Sequence, residues 1–163
     1  MAEDLYETDI LAWSRGQAER LRRVAAGERV ADVDWARVVE EIEGVGKSEV
    51  RAVRSALHRA MVRAMKAAAW PDDEAVRHWR HEAVVFLSQA RADFQPGMAP
   101  ALDLPALHRR ARRVVEALEM GAPARALPEG PACDLAEALD DAVPLAAGVA
   151  RLAGPPRGGG GQE

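Results

Sequence analysis

The sequence predicts an all-α protein: a four- to five-helix bundle, followed by a short C-terminal helix and a disordered Gly-rich tail. Apolar residues recur at spacings of three and four through most of the chain, which is the period of an amphipathic helix. Capping residues, glycines and prolines separate these periodic segments. The chain has 163 residues, 29% of them charged, with a net charge of −4. It is therefore long enough for one core, and its composition favours neither disorder nor bulk nucleic-acid affinity.

The first predicted helix spans about residues 4–25. Its apolar stripe consists of Tyr6, Ile10, Trp13, Leu21 and Val24. Gln17 lies in the middle of that stripe, and burying an amide without partners costs about 1–3 kcal/mol. We therefore expect Gln17 to be hydrogen-bonded. Asp9 lies at the border of the stripe, and two interpretations remain open: an edge carboxylate beside a satisfied core amide, or a polar pocket shared with acids of the next helix.

An acidic helix and a basic helix follow, and they form the centre of the prediction. Asp34 is the expected N-cap of the acidic helix. The apolar stripe of that helix is Trp35, Val38, Val39, Ile42 and Val45. Gly44 and Gly46 predict a corner. The basic helix then continues to Trp70, with the stripe Val50, Val53, Leu57, Ala60, Met61, Ala64 and Ala68. We expect it to fold back beside the acidic helix.

The remaining helices are predicted at about residues 73–93, 103–120 and 133–142. Asp103 is the expected cap of the second of these, with Pro105 in its first turn. The sequence then becomes Gly-rich and loses large apolar residues. These features predict one domain over residues 1–143 and a flexible tail over residues 144–163.

The acids of the acidic helix are the first candidates for chemistry. Glu40 and Glu43 are separated by three residues, and in low-dielectric surroundings such a carboxylate can act as a general base. Together with Lys66 they are the candidate catalytic residues. The alternative is a set of salt bridges that fixes helix pairing, in which at least one of Glu40, Glu41 and Glu43 contacts a basic residue between positions 47 and 66.

Other functional classes have less support in the sequence. No histidine follows a glutamate by three residues, as di-metal helical bundles require, and the single Cys133 allows no internal disulfide. We expect His78 and His81 to be solvated, His108 to lie at the edge of its stripe, and no metal or cofactor to be bound. The basic run over residues 108–113 has no interleaved aromatic residues, which favours a salt-bridged surface over a nucleic-acid interface.

Several spacings together resemble one bacterial family. They are Tyr6-x2-Asp9-x3-Trp13-x3-Gln17, the acids Glu40, Glu41 and Glu43 followed by Gly46, the run Lys47-Ser48-Glu49, Lys66 and Trp79. This pattern is similar to the family known as domain of unknown function twenty-nine, over about residues 5–120. The resemblance implies a helical bundle and no established activity. Arg63 stands where the family usually has a histidine, and the Cys-Pro element of the family appears here as Pro131-Ala132-Cys133, without the following proline.

These observations predict a non-catalytic protein-binding or regulatory module, with a protein partner and possible homo-oligomerisation. Tyr6, Asp9, Trp13, Gln17 and Glu41 are the candidate binding residues. The alternative is a small enzyme that uses Glu40, Glu43 and Lys66. No apolar run approaches the roughly 18 residues of a membrane-spanning helix, and the first residues do not resemble a signal peptide, so we expect a cytoplasmic protein.

Overall fold

The computed structural model describes residues 2–155, with side chains from residue 5. Within that range the secondary structure is α1 (Ala2–Thr8), α2 (Ile10–Ala25), α3 (Trp35–Ala69), α4 (Val76–Asp93), a 3-10 helix (Pro96–Ala101), α5 (Leu104–Glu116), α6 (Leu135–Leu139) and α7 (Leu145–Ala153). No strand occurs among these residues, so the predicted all-α class is confirmed.

The chain divides into two compact units, Met1–Lys47 and Ser48–Glu163. The first unit contains α1, α2 and the beginning of α3, and the second contains the rest of α3 and the helices that follow. The sequence predicted a single domain over residues 1–143. The boundary between the units lies within α3, close to where the sequence changes from the acidic to the basic segment.

The first predicted helix is two helices, α1 and α2, with Asp9 between them. Asp9 has φ −149° and ψ 79°, and its side chain accepts a hydrogen bond from the Ala12 N–H at 2.9 Å. A helix interior offers the carboxylate no such partner, whereas an N-cap satisfies one orphan N–H group. Asp9 therefore begins α2 as an exposed N-cap carboxylate.

α3 continues without a break through Gly44 and Gly46, so the predicted corner is wrong. A helix-ending glycine adopts a positive φ, as Gly27 does at 87°, but Gly44 and Gly46 do not. A glycine in a helix interior costs about 1 kcal/mol relative to alanine, which weakens a long helix without ending it. The acidic and basic segments are successive parts of one helix, and they do not form a hairpin.

The second half of α3 supplies the largest share of the core of the second unit. Its buried side chains are Val53, Ala56, Leu57, Ala60, Met61, Ala64, Met65, Ala67 and Ala69. This set confirms most of the predicted stripe, although Ala68 is exposed. α4 contributes Trp79, Ala83, Leu87 and Ala90, as its periodicity predicted. The Trp70 indole at the end of α3 donates a hydrogen bond to the Ala122 carbonyl at 2.8 Å, which attaches the loop after α5.

The C-terminal part of the chain is more ordered than the sequence indicated. α7 spans Leu145–Ala153 and buries Val149 and Leu152 in the core, so residues 145–153 are not a flexible tail. Its few apolar residues suffice because they pack on α4 and α6. The tail expected from Gly154 onward falls mostly on residues 156–163, outside the described residues.

Arg91 joins α4 to the C-terminal helices. Its guanidinium donates to the Ala138 carbonyl at 3.0 Å and to the Val143 carbonyl at 2.6 Å, and the side chain is buried. Gly148 of α7 allows this close packing, because a Cβ there would lie 2.7 Å from Arg91 Nη2. Two otherwise unpaired carbonyls are satisfied by one buried cation.

His108 of α5 is fully buried, so its predicted place at the edge of the stripe is wrong. Its Nε2 lies 3.3 Å from the Ala153 carbonyl. Burial lowers the pKa of His108, and the nearby Arg112 acts in the same direction, so the imidazole is kept neutral. Arg112 forms an ion pair with Glu116 at 2.6 Å, which agrees with a salt-bridged basic run.

Candidate functional site

Three of the five predicted binding residues, Tyr6, Trp13 and Glu41, meet in the first unit, where α1 and α2 pack against the beginning of α3. The Tyr6 hydroxyl donates to Glu41 Oε1 at 2.6 Å. The Tyr6 ring meets the Trp13 ring edge-on at a centroid distance of 4.9 Å, and the Arg37 guanidinium lies 4.3 Å from the Tyr6 centroid. The hydrogen bond to Glu41, aided by burial and the negative charges of Glu41 and Glu40, raises the pKa of Tyr6 to about 12.

Gln17 is 2% exposed and connects α2 to the N-terminus of α3. Its Oε1 accepts a hydrogen bond from the Asp34 N–H at 3.1 Å, which confirms that this amide is buried and hydrogen-bonded through its oxygen. The buried Nε2 has no hydrogen-bond partner among the described residues. The Asp34 carboxylate accepts from the Arg37 N–H at 3.3 Å and thereby caps α3. Gln17 and Asp34 therefore hold two helices together, which is a structural role.

The candidate catalytic acids lie on the surface. Glu40 and Glu43 are exposed, whereas a carboxylate general base requires low-dielectric surroundings. Glu43 Oε2 lies 3.5 Å from Lys47 Nζ, one turn further along α3. An acid of this segment thus contacts a basic residue as predicted, but the pair runs along one helix and does not join two helices. An exposed pair of this kind contributes little to stability.

The predicted apolar stripe of the acidic segment lies mostly at the surface. Only Val38 is buried, at 7% exposure. Four large residues are exposed: Trp35 by 55%, Val39 by 52%, Ile42 by 67% and Val45 by 63%. We name these four the apolar face. At about 100° per residue they lie within one third of the circumference of the helix, so they form one surface and are not scattered.

Lys66 belongs to a separate group of contacts in the second unit. Its Nζ lies 4.2 Å from the centroid of the Trp79 ring, a cation–π contact. One turn earlier, Arg63 Nε lies 2.8 Å from Glu82 Oε2, and His78 Nε2 lies 3.4 Å from the same oxygen. The predicted partners of Lys66, the acids Glu40 and Glu43, belong to the first unit. The predicted catalytic site of Glu40, Glu43 and Lys66 depended on a corner at Gly44 and Gly46. α3 has no such corner, so the reason for grouping these three residues no longer holds.

A groove opens beside Lys66 on the surface of the second unit, with a volume of about 490 Å³. We name it the basic groove. It is lined by His58, Arg59, Val62, Arg63, Lys66, Phe86, Val114 and Leu118. The pKa of His58 is lowered by burial and by the positive charge of Arg110, so this histidine is neutral. The groove therefore combines three cations with an apolar lining.

The side chains that could bind a metal ion are dispersed over the described part of the chain. Among residues 5–155, no three Cys, His, Asp or Glu side chains converge on a point that could hold a metal ion. Cys133 is half-buried against the core, and burial raises its pKa, which disfavours the reactive thiolate. No helix in the described part of the chain is long and apolar enough to cross a membrane.

Comparison with known proteins supports the resemblance seen in the sequence. The family model "Domain of unknown function DUF29" matches residues 5–143. The chain belongs to the DUF29 family. A search of the curated proteins finds no match for it.

One solved structure is similar to this DUF29 protein over most of both chains. It is the crystal structure of an alpha-helical protein of unknown function from Rhodospirillum rubrum ATCC 11170. The two sequences are 30% identical, the match covers 90% of this chain and 96% of the other, and the TM-score is 0.65. The helical fold is therefore shared with a protein whose function is also unknown.

Sequence analysis missed two features of this DUF29 protein. The apolar face was interpreted as core because its periodicity is that of a buried stripe, and periodicity cannot tell which helix, if any, covers it. The basic groove was missed because its lining comes from three separated segments, around positions 62, 86 and 114–118. The only signal in the sequence was the density of basic residues in the second half of α3.

Proposed function

We propose that this DUF29 protein is a non-catalytic protein-binding module and that its partner is a second copy of the same chain. The observation that carries the proposal is the apolar face, whose four large side chains are each more than half exposed. Contiguous apolar surface rimmed by charge is typical of protein interaction sites, whereas single exposed apolar residues are ordinary. We expect the module to act in the cytoplasm, the compartment that the sequence predicts.

The spacing of the apolar face supports a helix as the partner. Trp35, Val39, Ile42 and Gly46 follow one another at intervals of four, three and four residues. Intervals that alternate between four and three residues are those with which two paired helices keep one seam in contact. Gly46 lies within the seam, and nothing approaches within 4 Å of the position its Cβ would take. A glycine there permits close approach of a second helix.

A second copy of α3 is the partner that the apolar face fits, because the face can complement itself. In a two-fold dimer the same surface of each chain packs on its symmetry mate. Each copy then covers apolar side chains of the other and removes them from water. Glu40 and Lys47 lie toward the opposite side of the helix and stay outside this contact.

The enzyme alternative based on Glu40, Glu43 and Lys66 has weaker support. The acids Glu40 and Glu43 are exposed, Asp9 caps a helix, and Gln17 joins two helices. These are the contacts expected of a structural network.

A pair of glutamate substitutions tests the proposal. Ile42→Glu places a charge in the middle of the apolar face, and Val85→Glu is the control because Val85 is a similarly exposed apolar residue, at 48%, on α4. Sedimentation velocity should show wild type and Val85→Glu as dimers and Ile42→Glu as a monomer. A wild-type protein that stays monomeric, or an Ile42→Glu variant that still pairs, would exclude the second copy as the partner.

A further inference from the structure

The basic groove lies in the second unit and plays no part in the proposed pairing. Its cations differ in whether a nearby carboxylate neutralises their charge. Arg63 is neutralised by Glu82 at 2.8 Å. Among the described residues, by contrast, no carboxylate lies within 4.0 Å of Arg59 or Lys66. The groove thus presents two unbalanced positive charges to whatever enters it.

Both of these cations are held in place by aromatic rings. The Arg59 guanidinium lies 5.6 Å from the centroid of Phe86, and Lys66 Nζ lies 4.2 Å from that of Trp79. A cation–π contact leaves the N–H groups that point away from the ring available to an anion. Because the side chains are already positioned, little rotamer freedom is lost when an anion binds.

The opposite part of the groove is apolar and accessible. Val114 and Leu118 are 41% and 37% exposed, although large apolar side chains in this unit are mostly buried. Val62 and Phe86 complete the apolar lining. An occupant that covers these residues gains roughly 25 cal/mol for each Å² of apolar surface removed from water.

We infer that the basic groove binds a small amphipathic carboxylate, with its headgroup at Lys66 and its apolar chain along Phe86, Val114 and Leu118. Size decides between a small molecule and an acidic protein segment. A volume of about 490 Å³ lies within the roughly 300–1,000 Å³ range of small-molecule sites.

Calorimetric titration with octanoate, below its micelle concentration, tests this inference on the full chain. Octanol has the same chain without the charge, and acetate has the same headgroup without the chain. Octanoate should bind once per chain, and octanol and acetate at least roughly tenfold more weakly. Lys66→Gln and Leu118→Gln should each weaken octanoate binding by about tenfold, since each removes one part of the site.

Arg109→Gln is the matched control, because Arg109 is an exposed arginine of α5 outside the groove. It should bind octanoate as the wild type does, with circular dichroism showing that all variants fold. The inference is overturned if octanoate does not bind saturably, if octanol binds equally well, or if Lys66→Gln and Arg109→Gln behave alike. These results are independent of the oligomeric state, so they leave the proposed pairing untouched.

Discussion

Tyr6 is the single tyrosine of the chain, and this makes its contact with Glu41 directly measurable. The hydrogen bond to Glu41 raises the pKa of Tyr6 to about 12, from an ordinary value of 10.0. Because the phenol donates only when protonated, the stability that this contact contributes is present below pH 10 and is lost as the pH rises through 12.

Glu41→Gln should therefore lower the pKa of Tyr6 toward 10.0, since it removes both the charged acceptor and a nearby negative charge. Tyrosinate absorbance measures this titration without interference from other tyrosines. Glu43→Gln is the control, because Glu43 pairs with Lys47 and should leave the titration of Tyr6 unchanged. Equal titration curves for wild type and Glu41→Gln would mean that the Tyr6–Glu41 hydrogen bond does not form in solution.

Gln17 offers a second test at the level of a single residue. Gln17→Ala leaves the Asp34 N–H without its acceptor and should lower the free energy of unfolding by about 1–3 kcal/mol. Gln17→Leu should cost less if the freed N–H can reach water. Gln89→Ala, at an exposed position of α4, should change little. If urea unfolding gave the same midpoint for Gln17→Ala and Gln89→Ala, Gln17 would not be part of the packing between α2 and α3.

At the scale of the elements, α3 contains two glycines with different expected roles. Gly44 lies on the side of the helix opposite the apolar face, and Gly46 lies within the face. No atom lies within 4 Å of the Cβ position of either glycine. Alanine at each position should therefore stabilise the helix by roughly 0.5–1 kcal/mol.

The two substitutions should differ in their effect on pairing. Gly46→Ala should weaken the association of two chains, because its methyl group separates the helices, whereas Gly44→Ala should leave association unchanged. Thermal melting combined with sedimentation at several protein concentrations measures both effects. Equal association of the two variants would place the contact surface elsewhere on α3.

Arg91 tests how α4 is attached to α6 and α7. Arg91→Met keeps much of the apolar volume but leaves the Ala138 and Val143 carbonyls without a donor. We expect a loss of roughly 2–5 kcal/mol in unfolding free energy, from two unsatisfied buried groups. Arg80→Met changes an exposed arginine of the same helix and should have little effect. Similar unfolding curves for the two variants would show that Arg91 does not hold the C-terminal helices.

The sequence predicted those elements whose evidence is local. The periodicity of α4, the Asp103 cap of α5 and the buried Gln17 were all correctly identified, since each depends on residues within one or two turns. The features that the sequence did not predict depend on contacts between distant parts of the chain. The carbonyls that accept from Arg91 lie about fifty residues further along the chain, and α7 is stabilised by packing on α4 that its own sequence does not show.

The candidate site was predicted less completely than the fold. The structure brings together the motif residues Tyr6, Trp13 and Glu41. The spacing of three and four residues that suggested them also places side chains on one face of a helix, where they can pack on a neighbouring helix. Their association with Lys66 depended on a corner at Gly44 and Gly46. That prediction failed because glycine was given more weight than the cooperativity of a long helix.

At the scale of the whole molecule, the central claim is that two chains pair through the apolar face. Light scattering coupled to size exclusion, over a range of loading concentrations, tests it most directly. The account predicts a mass of twice the 17.6 kDa chain at high concentration, decreasing toward 17.6 kDa on dilution, with Ile42→Glu at 17.6 kDa throughout. A wild-type mass of 17.6 kDa at every concentration would contradict it.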